Sequence, residues 1–460
     1  MLRKKEIIFI CILITSLLFS TSLFSQINTW GWGRNQYGQI GDSTTVQKNI
    51  PSQTFLSANI DVLEAGQFFS LAILSDSTVW GWGSGFWGQL GNGAPAQQIV
   101  PIQTGFPVGS IDIAGGGFHS LVVTSSGNVM ASGRNNSGQL GDGTPLDSET
   151  PVSTQDISNA IAVDAGNFFS MALTADSTVK TWGDNYNGQL GTGNNDEYWT
   201  PTQVLNVSNI IAIAAGESHC LALQNDGTVW SWGDNQYGQL GDSTTTDKNI
   251  PVQVHDIDNI VAISAGWGFS IALKDDGRVW SWGWNNSGQL GLGDTNNRLE
   301  PVQINDISNV VQITAGASHA LAIKTDGTLW AWGDNLFGQI GDNSTTDRLF
   351  PVQTNNLINA ELISASWHSL SFAGNCIGVD EFNQNTFQKE ITTYPNPFYR
   401  SCQLQFSQNL SGDTKIFIHD VKGRLVKSTY STKIGKNLFP GIYFIKVKNY
   451  PIQKVIKISY

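Results

Sequence analysis

A glycine returns every 50 residues along most of this chain, at Gly38, Gly88, Gly138, Gly188, Gly238, Gly288 and Gly338, without slippage. Seven prolines, Pro51, Pro101, Pro151, Pro201, Pro251, Pro301 and Pro351, keep the same register. Around each glycine lies a near-copy of one segment, such as SWGDNQYGQLGD at 231–242, GWGRNQYGQIGD at 31–42 and AWGDNLFGQIGD at 331–342. A fixed internal period of this length marks a supersecondary unit that cannot bury its own apolar face and must stack on its neighbours. It also lets most of a 460-residue chain belong to one body, where a non-repetitive chain would divide into several domains.

A second segment alternates with the first, as in IAIAAGESHCLAL at 211–223. Runs such as IIAIAA, CLAL and TVWSWG are four to six residues long and bounded by Gly, Asp and Pro, the pattern of short strands. The 49 glycines and the low charged fraction of 13%, against roughly 25% in ordinary soluble domains, agree with many tight turns. About four strands in about 50 residues make a propeller blade, a small twisted sheet buried on both faces by its neighbours. Trp232 and its equivalents are expected between blades, where a large aromatic buries most area. The chain opens on the Trp-Gly half of a unit, at Trp30, and closes on the other half, HSLSF at 368–372. Each half occurs seven times, so pairing first strands with last ones removes open sheet edges. The expectation is an all-β, seven-bladed β-propeller over residues 26–373 with one composite blade. The last copy alone slips, ASWHSL (365–370) being one residue shorter than AGASHAL (315–321).

The WG-x-N-x-x-GQLG segments, alternating in phase with AG-x-x-H-S-LAL segments over about residues 27–373, resemble the regulator of chromosome condensation repeat family. That resemblance implies a seven-bladed propeller with a blade built from both chain ends, in agreement with the count above.

Both ends of the chain read as addresses. Arg3, Lys4 and Lys5 precede an apolar stretch from Ile7 to about Phe19, and small polar residues lead to a cleavage point after Ser25. This is the pattern of a secretory signal peptide. Ser and Thr break the run below the ~20 apolar residues of a membrane span, so no transmembrane helix is expected after cleavage. Past a linker at 374–390, the register stops and YPNPF (394–398), KIFIHDVKGRLVKS (415–428), LFPGIYFIKVKN (438–449) and KVIKIS (454–459) follow. Their alternation and Gly turns predict a small C-terminal β-sandwich over 391–460. The charge reverses there: 11 Lys and Arg face 2 Asp and Glu in 391–460, against 11 and 34 in 26–390. This tail resembles the C-terminal sorting domain of the type IX secretion system, which implies that residues 391–460 engage that machinery and route a bacterial protein to the medium or the cell surface. Cys220, Cys376 and Cys402 remain after signal removal, an odd number that makes no disulfide framework. Cys220 stands where Ser70, Ser120, Ser170, Ser270 and Ala320 stand in other copies and reads as a small buried filler. Pairing of Cys376 with Cys402 is left open.

A segment present seven times around a ring reads as scaffold, so Trp232, Gly233, Gly238, Gln239 and Gly241 are assigned to architecture. His119, His219, His319 and His368 share one position that Phe69, Phe169 and Phe269 fill elsewhere, which makes it packing space and not a metal site. Acidic turns such as GDSTTTD (241–247) read as solvated turns. No nucleophile elbow, P-loop or dinucleotide fingerprint occurs, so no catalytic residue and no cofactor is assigned. Sites are sought instead where the copies differ. After Trp-Gly stand Arg34, Ser84, Arg134, Asp184, Asp234, Trp284 and Asp334, and aromatics such as Trp87, Trp267 and Trp367 occupy turn tips. Trp87, Trp267, Trp284, Trp367, Arg34 and Arg134 are the candidate binding residues, since exposed aromatics and arginines anchor protein and glycan contacts.

The leading reading is an exported, non-catalytic module that presents one ring face to a protein or glycan. Nucleotide exchange on a small GTPase, implied by the family resemblance, is the alternative. Export removes a cytosolic partner, and the acidic propeller opposes phosphate and nucleic acid. A secreted glycan-active enzyme would need a close pair of carboxylic acids, and the repeats single out none. If the tail is the routing label, deleting residues 391–460 leaves a folded propeller in the periplasm; cell fractionation that finds the truncated protein in the medium would refute the sorting role.

Overall fold

The computed structural model describes residues 28–56 and 58–375. In the C-terminal segment it describes the backbone of seven strands, Ile391–Tyr394, Cys402–Phe406, Ile416–Asp420, Leu425–Thr429, Lys433–Ile434, Gly441–Val447 and Gln453–Lys457. The expected signal peptide, the linker from residue 376 onward, Cys376 and the side chain of Cys402 lie outside the described residues. Among the described residues no helix is long and apolar enough to cross a membrane.

Residues 28–375 form seven four-stranded antiparallel sheets. Within each blade the strands run from the ring centre outward. The six innermost strands built from sequential repeats are Ile60–Ala65, Ser110–Gly115, Ala160–Ala165, Ile210–Ala215, Ile260–Ala265 and Val310–Ala315. Leu357–Ala365 completes the inner circle. The next strand outward, for example His219–Gln224, is buried along nearly its whole length because blades cover both its faces. The outer strand, for example Lys248–Gln253, is largely half-buried or exposed and carries the polar residues.

Blade-to-blade seams repeat one arrangement. Trp32, Trp82, Trp182, Trp232, Trp282 and Trp332 are completely buried. Each indole Nε1 donates to the backbone carbonyl of the glutamine in the preceding blade's GQ(L/I)G turn, as Trp82 does to Gln39 at 2.8 Å and Trp232 to Gln189 at 2.9 Å. Except at Gln289, which faces Ala320, the same carbonyl accepts a second donor from the next blade, Ser70 Oγ at 2.8 Å for Gln39 and Cys220 Sγ at 3.3 Å for Gln189. Cys220 is thus a buried member of the serine series, as expected from its place in the repeat. Gly41 has a positive φ, and a Cβ there would lie 2.8 Å from Cδ1 of Trp82, so the glycine lets the indole reach the turn. The copy at Ser132 lacks the tryptophan, and the ring of Phe106 lies beside Ser132 against Gly91 in its stead.

The ring closes through a composite blade. Asn28–Gly33 pairs antiparallel with His368–Asn375 in the register Trp30↔Ser371, and sits between that strand and Lys48–Gln53. Trp30 Nε1 donates to Ala373 O at 3.1 Å, joining residues 343 positions apart. The C-terminal segment is a separate unit. Its described strands form one three-stranded and one four-stranded antiparallel sheet.

Closure by the first strand has a measurable consequence. Removing the chain up to residue 34 strips the partner from His368–Asn375 and leaves the inner half of that blade with an open edge. The truncated protein is expected to melt at least several degrees lower; an unchanged melting temperature would refute closure by this strand.

Candidate functional site

The repeated loop is a knot of its own hydrogen bonds. Asn235 Nδ2 donates to Asp242 Oδ1, Thr244 O and Thr246 O, and its Oδ1 accepts the N–H of Leu240. Asp242 also accepts from Thr244 and ion-pairs with Lys248 at 3.3 Å. Its acceptor capacity is used inside the loop, which identifies the acidic turn as structure. Gln239 Oε1 accepts the N–H of Tyr237. Equivalent bonds recur around the ring from Asn35, Asn135, Asn185, Asn285 and Asn335.

The histidines belong to the seams. Their Nε2 atoms lie 2.7–3.0 Å from a serine of the next blade: His119 with Ser170, His219 with Ser270, His319 with Ser369 and His368 with Ser70. Each serine hydroxyl already donates to a glutamine carbonyl, so the imidazole is the donor and carries its proton on Nε2. Where phenylalanine replaces histidine, the facing residues are Ser120, Cys220 and Ala320, two of which have no hydroxyl. Burial drives all four histidines down to a pKa of about 3.

A cavity of about 280 Å³ runs along the ring axis, lined by the inner strands. Four carboxylates line it, Glu64, Asp112, Asp164 and Glu217. Burial raises Asp112 to about 6, and burial with the charge of Asp112 raises Asp164 to about 7. Glu64 is pushed up by burial and by the charges of Asp164 and Asp112. These groups also clasp neighbouring blades: Asp112 Oδ2 accepts the N–H of Val163, and Asp164 Oδ2 that of Ala215, both at 2.9 Å. At the position of Asp164, Ser264 and Ser364 clasp Ala315 and Ala65 in the same way. Glu64 accepts from Ser364 Oγ at 3.3 Å.

At one end of the ring the inner-strand turns meet the Trp-Gly loops through backbone bonds such as Arg134 N to Phe118 O at 2.9 Å. There the variable positions gather. The Arg34 guanidinium carbon lies 5.0–5.3 Å from the ring centres of Phe68, Phe337 and Trp367. That of Arg134 lies 4.7–5.6 Å from Trp87, Phe118 and Phe168. The two cages are one construction made twice. Each takes a ring from the preceding blade's loop, one from the arginine's own inner turn and one from the next blade's inner turn. The tilted pair Phe68–Phe118 joins them, and Tyr37 meets Phe68 and Phe86 edge-on. Phe86 is 52% and Trp87 41% exposed.

Of the six candidate residues, five fall on this band. Arg34 and Trp367 share one cage, Arg134 and Trp87 the other, and Trp267 meets Trp367 edge-on at 4.7 Å across the small residues Ala317 and Ser318. Trp284 stacks instead on Tyr237 at 5.3 Å. Phe68, Phe118, Phe168 and Phe337, which the sequence marks as turn-tip aromatics outside the six candidates, complete the cages; the signal that groups them lies in reading three consecutive copies together. The remaining part of the face is acidic, with Asp184, Glu217, Asp234 and Asp334. Burial raises Glu217, Asp234 and Asp334, and a neighbouring carboxylate adds to each. A second feature escaped the sequence reading. Ile111, Ile161, Ile211, Val261 and Val311 stand about half exposed at the opposite rim, turned out where the inner-strand register shifts.

Comparison with known proteins adds to this geometry. Residues 96–376 match the model of the RCC1-like domain, residues 28–73 that of the regulator of chromosome condensation (RCC1) repeat, and residues 392–459 that of the secretion system C-terminal sorting domain. Among solved structures, human WBSCR16 is similar at 25% identity and a TM-score of 0.70, over 76% of this chain and all of that one. Prp20p from Saccharomyces cerevisiae, described with its binding to Gsp1p and histones, is similar at 22% identity and a TM-score of 0.69, over 76% of this chain and 92% of its own. No curated protein matches the chain significantly.

The buried histidines make a pH prediction. Their folded pKa lies below the ~6.5 of the unfolded chain, so the stability that they permit is present above pH 6.5 and is lost as pH falls toward 3. Each can cost about 1 kcal/mol per pH unit over that window. The channel carboxylates, whose pKa values are raised, work in the opposite sense. Replacing all four histidines by Phe, the residue in the other three blades, is therefore expected to lose less stability than the parent between pH 7 and pH 5. Equal losses in denaturant titrations would contradict the assignment.

Proposed function

Because the chain belongs to the RCC1-like domain family, we propose that its propeller is an exported binding module whose working surface is the aromatic and arginine-bearing half of one ring face. The sorting tail marks the protein as secreted or displayed at a bacterial cell surface, so the ligand is an extracellular glycan or protein. The observation that carries this reading is the duplicated cage. Two blades replace the aspartate found in three others by arginine, and each arginine coincides with aromatic residues at three positions of three consecutive blades. Packing alone does not call for that coincidence, since the aspartate blades close the same seams without it.

The channel supports a binding role over hydrolysis. Asp112 and Asp164 accept backbone N–H groups from the neighbouring blade, Glu64 accepts a serine hydroxyl and Glu217 the side-chain amide of Asn167, so the acids serve the seams. Nucleotide exchange, with Prp20p as the model for contact with another protein, remains the second reading through fold similarity; an exported protein meets no cytosolic GTPase.

Trp87→Ala and Trp367→Ala test the surface. Each is expected to weaken retention on the natural ligand about tenfold or more, as loss of an aromatic anchor does, while leaving the melting temperature nearly unchanged. Binding that survives both substitutions but is lost on changing Ile161 and Ile211 to Ser would move the site to the opposite rim.

A further inference from the structure

We propose that Arg34 and Arg134 are a pair of carboxylate receptors and that the ligand of this face is an acidic polysaccharide of the polyuronate type. The inference rests on the aromatic half of the face being the binding surface, and deepens that reading by naming the ligand's chemistry.

The repeat provides its own control. In three blades the glutamine of the loop donates Nε2–H to an aspartate five residues earlier: Gln189 to Asp184 at 2.6 Å, Gln239 to Asp234 at 2.7 Å and Gln339 to Asp334 at 2.6 Å. In the two arginine blades the acceptor is gone. Gln39 and Gln139 are completely buried, and their Nε2 atoms have no hydrogen-bond partner. Around Arg34 the guanidinium Nε and the indole Nε1 of Trp367 are unpartnered as well. The Trp284 blade leaves Gln289 Nε2 without a partner too, but places an indole there and no cation. The arginine sites therefore gather donors without an acceptor, where sister blades hold a carboxylate.

Among the described residues neither Arg34 nor Arg134 forms an ion pair with a carboxylate. Arg278, Arg298 and Arg348, the other arginines among the described residues, each meet an aspartate. Arg34 and Arg134 have rings around them instead. Stacking fixes the plane of a guanidinium and leaves its edge for a two-pronged bond to a carboxylate. A propeller with 34 acids against 11 bases over residues 26–390 offers many internal partners, so two unpaired arginines on one band are a feature of that band.

Polymer geometry follows from the placement. The cages stand on alternate blades, with the Ser84 blade between them contributing exposed Phe86 and Trp87. A chain of acidic sugars offers repeated carboxylates to the two cations and flat C–H ring faces to the aromatics. The acidic part of the face repels the same chain and confines it to the aromatic band.

The test uses the mature full chain in calorimetric titrations with polygalacturonate, its fully methyl-esterified form and poly-L-glutamate. Polygalacturonate is expected to bind, and Arg34→Gln or Arg134→Gln to weaken it about ten- to a hundredfold, the loss of a charged hydrogen bond. Arg34→Lys should recover part of the affinity. Salt should weaken the complex, and the ester should not bind. Equal binding of acid and ester, insensitive to both Arg→Gln changes yet lost in Trp87→Ala, would overturn the carboxylate inference and leave the binding face standing. Tighter binding of poly-L-glutamate with the same arginine dependence would overturn it in favour of an acidic protein. No binding of any probe, with the natural ligand also indifferent to Trp87→Ala, would remove the face itself.

Discussion

One backbone carbonyl holds each tryptophan seam of the ring. The glutamine of the GQ(L/I)G turn offers its C=O to the next blade, and an indole N–H converges on it, with a serine hydroxyl or the Cys220 thiol beside it at five of the six such seams. A carbonyl has two lone pairs, so both donors are satisfied in a buried place where an unpaired one would cost about 1–3 kcal/mol. The rest of the motif serves this contact. The glycine two residues on clears space for the indole, and the asparagine four residues before the glutamine fixes the turn by bonding along the loop on both sides. The histidine–serine pairs extend the same seam by one more donor.

Such a scheme leaves other positions free. Residues 34, 37 and 68, and their counterparts in each blade, lie on loops at one ring face and have no duty at the carbonyl. Seven near-identical blades thus support an unequal face, with arginines and aromatics on one part and carboxylates on another. The asymmetry of the molecule lies on loops carried by a repeated scaffold.

The architecture was legible because a strict period transmits one blade's solution to all seven. The buried Trp232, the composite blade and the filler role of Cys220 followed from register alone. The histidines were only half legible. Sharing a position with phenylalanine showed packing space, but their serine partners lie 50 or 51 residues away, or across the closure in His368 and Ser70, and emerge only when blades are set side by side. The cages were less visible still. Arg34 and Trp367 stood out as variable residues, yet Phe337, Trp367 and Phe68 come from three successive blades that include both chain ends.

The sequence by itself determined the number of blades, the route of closure and the C-terminal sorting tail, since each depends on local patterns repeated along the chain or gathered in one segment. The tertiary structure decided which variable residues come together. It turned Trp284 toward Tyr237 and away from the cages, brought Trp267 over two small residues onto Trp367, and bound Asp112 and Asp164 of the channel to neighbouring backbone. Those outcomes depend on distances between side chains of different blades. A one-dimensional period fixes which blades are neighbours and leaves the direction of each side chain to the packing around it.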